Sequence, residues 1–304
     1  MAVPSRNRII FVPGKNPKPL PAEHRALLWR CLLGGVRKVD PDLVAAMCAT
    51  TESFQLAAWN GLYYHQIKAV EDDLPWIEVL LEKSGPDPQD VREALSWRRR
   101  RARWLYTLAD LLPFLIALLP DAAVKSTISE TERYFNNHEG IGEQVRELLK
   151  APLRRMFAEG DRVMVIGHSL GSVIAYDTLW ELWHGEQNPG RVDLFLTLGS
   201  PLGMHFVQDR LVGFHAAAGR RFPGNICRWK NAAARGDLTA LDRALKDDFA
   251  PMLELGLTES IEDMHADLYT YFRNQDGLNV HRSYGYLAHP LVGRVIADWW
   301  RAGS

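Results

Sequence analysis

Three short runs constrain this chain more than anything else in it. Arg8–Val12 (RIIFV), Arg162–Ile166 (RVMVI) and Val192–Leu198 (VDLFLTL) are apolar almost without a break, and each stops at a glycine or at Pro-Gly. A strand with one wet face alternates polar and apolar residues. A continuously apolar strand is buried on both faces, as in a parallel sheet covered by helices. Asn225–Asn231 (NICRWKN) and Leu268–Phe272 (LYTYF) add two more strand-like runs, and another lies within Glu52–Tyr64. Between them apolar residues recur near a helical period, as at Val173, Ile174, Tyr176, Leu179, Trp180 and Trp183, and again at Leu291, Val292, Val295, Ile296 and Trp299. Strands alternating with helices predict an α/β protein with a doubly wound, mostly parallel sheet. A length of 304 residues suits a single such domain, 1–304.

The interval from Lys15 to Gly160 is longer than a crossover needs. Residues 72–127 are therefore expected to form a helical cap or lid inserted over the carboxyl edge of the sheet. Within it, Trp97–Trp104 (WRRRRARW) is densely basic and Trp104–Pro120 is the most apolar segment of the chain. The apolar segment contains Asp110 and Pro113 and falls short of the ~20 residues a bilayer span requires. A basic stretch beside an apolar helix gives residues 97–120 a possible weak contact with a membrane interface; the plainer reading is a solvated helix paired with Glu93 and Asp110. A formal charge of −1 gives no drive toward nucleic acid. Cys31, Cys48 and Cys227 are odd in number and lack CxxC spacing. With no leader-like apolar stretch before the first strand, they read as reduced thiols of a cytoplasmic protein. No metal-binding or P-loop motif is present, so neither metal nor cofactor is expected.

The chemistry concentrates at Val163–Trp180 (VMVIGHSLGSVIAYDTLW), where a buried-strand pattern runs into Gly-His-Ser-Leu-Gly and then into a helical pattern. Strand, Gly-x-Ser-x-Gly turn and helix are the context of a nucleophile elbow. Gly167 and Gly171 leave room where strand and helix nearly touch, Ser169 is raised on the sharp turn, and the Leu170 amide points where a reacting carbonyl oxygen would sit. The helix dipole adds positive potential there. A bare match to this pattern is common by chance; the flanks on both sides give it weight.

Together, RIIFVPG, VMVIGHSLGSVIAYD, LFLTLGSPLG, RWKNAAARGD and VHRSYGYLAHPLVGRVIADWW resemble the α/β-hydrolase superfamily on its esterase and lipase side. The resemblance covers the strand-bearing parts in order and leaves out the insertion. It implies a Ser, acid, His order along the chain. His281, on a loop after the last strand, is the implied base, with His289 as rival; His168 and His265 are not placed for that role. Asp237, after the strand before the last, is the implied acid, with Asp242 and Asp276 as rivals. The plainer reading of Asp237 is an N-cap for a helix over Leu238–Lys246, and both readings can hold in part. The second oxyanion donor is implied on the loop after the first strand, where this chain has Pro13-Gly14 in place of the usual His-Gly; the Lys15 amide is the candidate, with Asn16 as alternative. Trp59 and Tyr63 read as core aromatics or as walls of an acyl pocket. The implied activity is hydrolysis of small-molecule or lipid-like carboxylic esters through an acyl-enzyme. Acyl transfer from the same serine, or a non-catalytic binding relative, are the alternatives.

Overall fold

The computed structural model describes residues 6–50, 52–96, 99 and 131–303. Six strands form one all-parallel sheet: β1 (Asn7–Val12), β2 (Phe54–Leu56), β3 (Arg162–His168), β4 (Val192–Leu198), β5 (Ile226–Ala232) and β6 (Ser260–Met264), in the order β2-β1-β3-β4-β5-β6. A separate two-stranded antiparallel hairpin pairs β7 (Arg273–Asn274) with β8 (Gly277–Leu278). The helices that matter here are α1 (Pro21–Arg37), α2 (Pro41–Ala49), α3 (Leu74–Glu82), α4 (Pro88–Ala94), α5 (Ile141–Ala158), α6 (Leu170–Trp180), α7 (Ser283–Leu287) and α8 (Pro290–Arg301).

The continuous apolar strands do what their composition demands. Ile9, Phe11, Met164 and Ile166 enter one core with α1 and α8, while Ile10, Val12, Val163 and Val165 enter a second with α5 and α6. Successive side chains thus feed opposite faces of the sheet, and both faces are covered. The carboxyl ends of the strands come level. Val12 pairs with Gly167, His168 with Leu198, Leu198 with Ala232, and Ala232 with Met264. The loops after five strands therefore leave from one edge. From β1 the chain goes outward to β2 on one side and to β3 on the other, so the crevice between β1 and β3 is a topological switch point, where open α/β sheets bind ligands.

Two expectations are corrected. Leu268–Phe272 is not a strand of the sheet; the sixth strand is Ser260–Met264. The edge strand is only half covered and carries Glu262 and Asp263, so it shows no apolar run. Leu268, Tyr271 and Phe272 are apolar because they plug the core from an irregular segment. The segment's backbone instead accepts bonds from Arg235 N–H and Asn279 N–H at Leu268 O and Phe272 O, 2.8 and 2.9 Å. Second, the expected helix over Leu238–Lys246 is absent; helix begins only at Leu245.

Of the expected cap, α3 packs against α1, its Leu81 lying over Gly34. The α4 helix sits beside the loops that follow β5 and β6: the Arg273 guanidinium binds Asp90, and Arg99 donates to Leu278 O at 2.7 Å. Residues 101–130, and with them most of the basic and apolar run over 97–120, lie outside the described residues. Among the described residues no helix is long and apolar enough to cross a membrane.

Candidate active site

Ser169 stands alone between the end of β3 and the start of α6, at φ 53° and ψ −129°. For a non-glycine residue that backbone costs on the order of 1–3 kcal/mol and persists only if its surroundings impose it. They do. Ser169 N–H donates to Leu198 O (3.0 Å), and Ser169 O accepts from Ser172 N–H (2.9 Å) and from the Ser172 hydroxyl (2.6 Å). With its proton so used, Ser172 Oγ accepts from Ser200 Oγ at 2.7 Å, tying the elbow to the loop after β4. A Cβ at Gly171 would lie 2.2 Å from Val12 O, and one at Gly167 would lie 2.5 Å from Ser172 Cα. Larger residues at either position would push α6 off the sheet.

Ser169 Oγ lies 3.0 Å from His281 Nε2, and His281 Nδ1 lies 2.8 Å from Asp237 Oδ2. Asp237 is 1% exposed. Burial alone would raise its carboxyl pKa. The His281 ring, the Tyr286 hydroxyl and the Thr239 amide outweigh burial and hold it below the usual carboxylate range. An ionised Asp237 only accepts, so Nδ1 carries the imidazole proton and Nε2 is left to accept from Ser169 Oγ–H.

The other candidates are accounted for elsewhere. Asp242 accepts the Ala244 amide at 2.8 Å, and Asp276 is exposed in the β7–β8 turn beside Asn274. His289 caps α8 by accepting the Leu291 amide at 3.1 Å. Burial, followed by nearby Lys38, lowers its imidazole to about 4. His168 Nε2–H donates to the carbonyl of His281 at 2.7 Å, and the two rings lie 4.8 Å apart. Burial, then His281, lowers the His168 pKa well below the usual value. His168 is thus a neutral strut under the His281 backbone.

Two residues were not visible as site residues in the sequence. Tyr286 Oη accepts the Ala234 amide at 2.9 Å and must donate its own proton to Asp237 Oδ2, at 2.6 Å. Gly199, the first residue after β4, has φ 53°, and a Cβ there would lie 2.7 Å from Asp237 Oδ2 and 3.1 Å from His281 Nδ1. Gly199→Ala is therefore expected to displace Asp237 and His281, and any turnover that depends on that pair should fall by about a hundredfold or more. A folded variant, by circular dichroism, with undiminished turnover would refute that.

The loop after β1 is braced from below. Trp59 Nε1–H donates to Pro13 O at 2.7 Å, and Asn60 Nδ2 donates to Gly14 O and Asn16 O at 2.9 and 3.1 Å. Trp59 and Tyr63 are 1% and 4% exposed and meet edge to face, so Trp59 lies beneath the loop and Tyr63 packs against Trp59. A Cβ on Gly14 would come within 2.8 Å of Ser169 Cβ, so this loop lies directly on Ser169. Lys15 follows Gly14, and Leu170 opens α6, whose first amides have no partner inside the helix. A cavity of about 270 Å³ opens at Asp237 and His281, lined also by Arg99, Thr239, Leu278 and Asn279 among others.

No known protein family, curated protein or solved structure matches this chain. What the site can do rests on its geometry.

Proposed function

We propose that this chain is a serine hydrolase of the α/β-hydrolase type that cleaves carboxylic esters through an acyl-enzyme. The observation that carries the reading is the continuous chain from Ser169 Oγ through His281 to the buried Asp237, at 3.0 and 2.8 Å. The order of the parts supports it: serine after the third strand, acid after the fifth and histidine after the sixth, on the carboxyl edge at the switch point.

In this mechanism Ser169 Oγ attacks the ester carbonyl while His281 Nε2 takes its proton. Asp237 holds the ring in the required tautomer and stabilises the imidazolium. The amides of Leu170 and Lys15 bind the tetrahedral oxyanion. His281 then returns the proton to the departing alcohol, and a water activated by the same ring releases the acid. The neutral His168 and the Tyr286 hydroxyl keep the base and the acid in register, and neither takes up the proton.

A fluorophosphonate probe tests this directly. Intact-mass spectrometry should show one adduct on the wild type, mapped to Ser169, and p-nitrophenyl esters of increasing acyl length should be turned over with a defined optimum. Equal labelling of wild type and Ser169→Ala would overturn the assignment.

A further inference from the structure

Lys18 is a half-buried ammonium with no carboxylate bound to it among the described residues. It lies on the same loop that presses on Ser169, and its Nζ donates to Lys15 O at 2.7 Å. Its own carbonyl accepts the Lys68 amide at 3.0 Å, which brings a second lysine alongside. Arg282 comes from the opposite loop, next to His281. The one carboxylate among the charges acting most strongly on Lys18 is Asp73, 3% exposed, and it is already committed: it accepts from Lys68 Nζ at 2.7 Å and from the Arg282 guanidinium. Glu71 and Asp72 on the same turn are exposed. Among the described residues, cations therefore outnumber buried anions where the loops after β1 and β6 meet over Ser169.

That surplus is costly. A partly desolvated ammonium without a counter-charge is unfavourable, and surrounding it with like charges makes it more so. Burial, followed by Arg282, lowers the Lys18 ammonium to about 7. Bracing Lys15 O does not require the charge, since a neutral amine donates as well. With a pKa near 7 the group is partly neutral on its own, and an anion bound beside Ser169 would hold it protonated.

We propose that the ester taken by this site carries a second, anionic group, a carboxylate or a phosphate, held by Lys18 with Arg282 beside it. The inference rests on the hydrolase reading for the word ester, and its test does not depend on turnover.

Calorimetry on the full chain carrying Ser169→Ala would compare three 4-methylumbelliferyl esters: the neutral hexanoate, the adipate monoester, and the 6-phosphonohexanoate. At least one charged ester should bind about tenfold or more tighter than the neutral one. Which of the two binds better identifies the anion. Adding Lys18→Met should reduce the preference below about twofold, and Lys18→Arg should keep it. For the adipate monoester, whose carboxylate stays ionised near neutral pH, the preference should strengthen as pH falls through about 7, where Lys18 becomes protonated, and flatten in Lys18→Arg. Lys15, Lys68, Arg282 and Asp73 face it as charged groups, and the pKa of buried His24 is held well below its usual value. Equal affinity for charged and neutral esters overturns the proposal. So does a Lys18→Met variant that weakens all three alike, the result expected of a cation that serves only the oxyanion or the loop. A wild type that shows the preference but turns over none of the esters would remove the hydrolase reading and leave the anion site standing.

Discussion

Ser169→Ala and His281→Ala are each expected to lower kcat/KM for a p-nitrophenyl ester by roughly ten-thousandfold to a millionfold, and the double variant to lose no more than the worse of the two. The reason lies in the single hydrogen bond at 3.0 Å that joins them. A serine hydroxyl attacks only as it loses its proton, and the imidazole is useful only if there is a hydroxyl to deprotonate. Removing either abolishes the same step, so the losses do not multiply. Residual turnover in both should reflect the oxyanion amides and binding alone. Folding should hardly change in Ser169→Ala, because the elbow is held through the backbone of Ser169 and through Ser172 and Ser200, none of which the substitution touches. Steady-state kinetics on the two singles and the double, with thermal unfolding as the control, decides the matter. A double variant whose loss equals the product of the singles would mean that the two residues act independently.

How much of this was legible in the sequence depends on how local each signal is. The three central strands announce themselves because burial on both faces must be written into every residue of the strand. The edge strand β6 does not, because its acids have structural work: Asp263 accepts the amides of Leu245 and Lys246 and the side chain of Asn231. Leu268–Phe272 imitates a strand because a core plug has the same composition as one. The elbow is readable because strand, two space-making glycines and helix are contiguous. Asp237 and His281 could be placed only through the order that a resemblance supplies, since 44 residues separate them. Gly199 and Tyr286 carry no signal, because each acquires its role only after loops from different strands converge on Asp237. Trp59 has the look of a pocket wall in sequence, yet its indole N–H finds the Pro13 carbonyl.

The convergence on Asp237 makes a second large effect predictable in detail. Asp237→Ala should lower kcat/KM by roughly ten-thousandfold, as loss of a triad acid does. Asp237→Asn should cost nearly as much. Three donors meet this side chain: His281 Nδ1–H and Tyr286 Oη–H at Oδ2, and the Thr239 amide at Oδ1, 2.9 Å away. The Thr239 amide can only donate, so it keeps a carbonyl oxygen at the Oδ1 position and turns the Asn NH₂ toward His281 and Tyr286. The imidazole answers as its other tautomer, accepting at Nδ1, and its proton then sits on Nε2, where it blocks the serine. Tyr286→Phe alone should cost roughly tenfold, because it removes one donor to the carboxylate and leaves His281 and the Thr239 amide in place. In Asp237→Asn it should cost little more, since the productive tautomer is already lost. Steady-state kinetics on the two singles and the double checks this; an Asp237→Asn variant within about a hundredfold of wild type would mean that the amide faces the other way. Since the Asp237 pKa is held below the usual carboxylate range, its charge is present from acid pH upward and is lost only as pH falls through that lowered value. The penalties in both Asp237 variants should accordingly be the same across the neutral range.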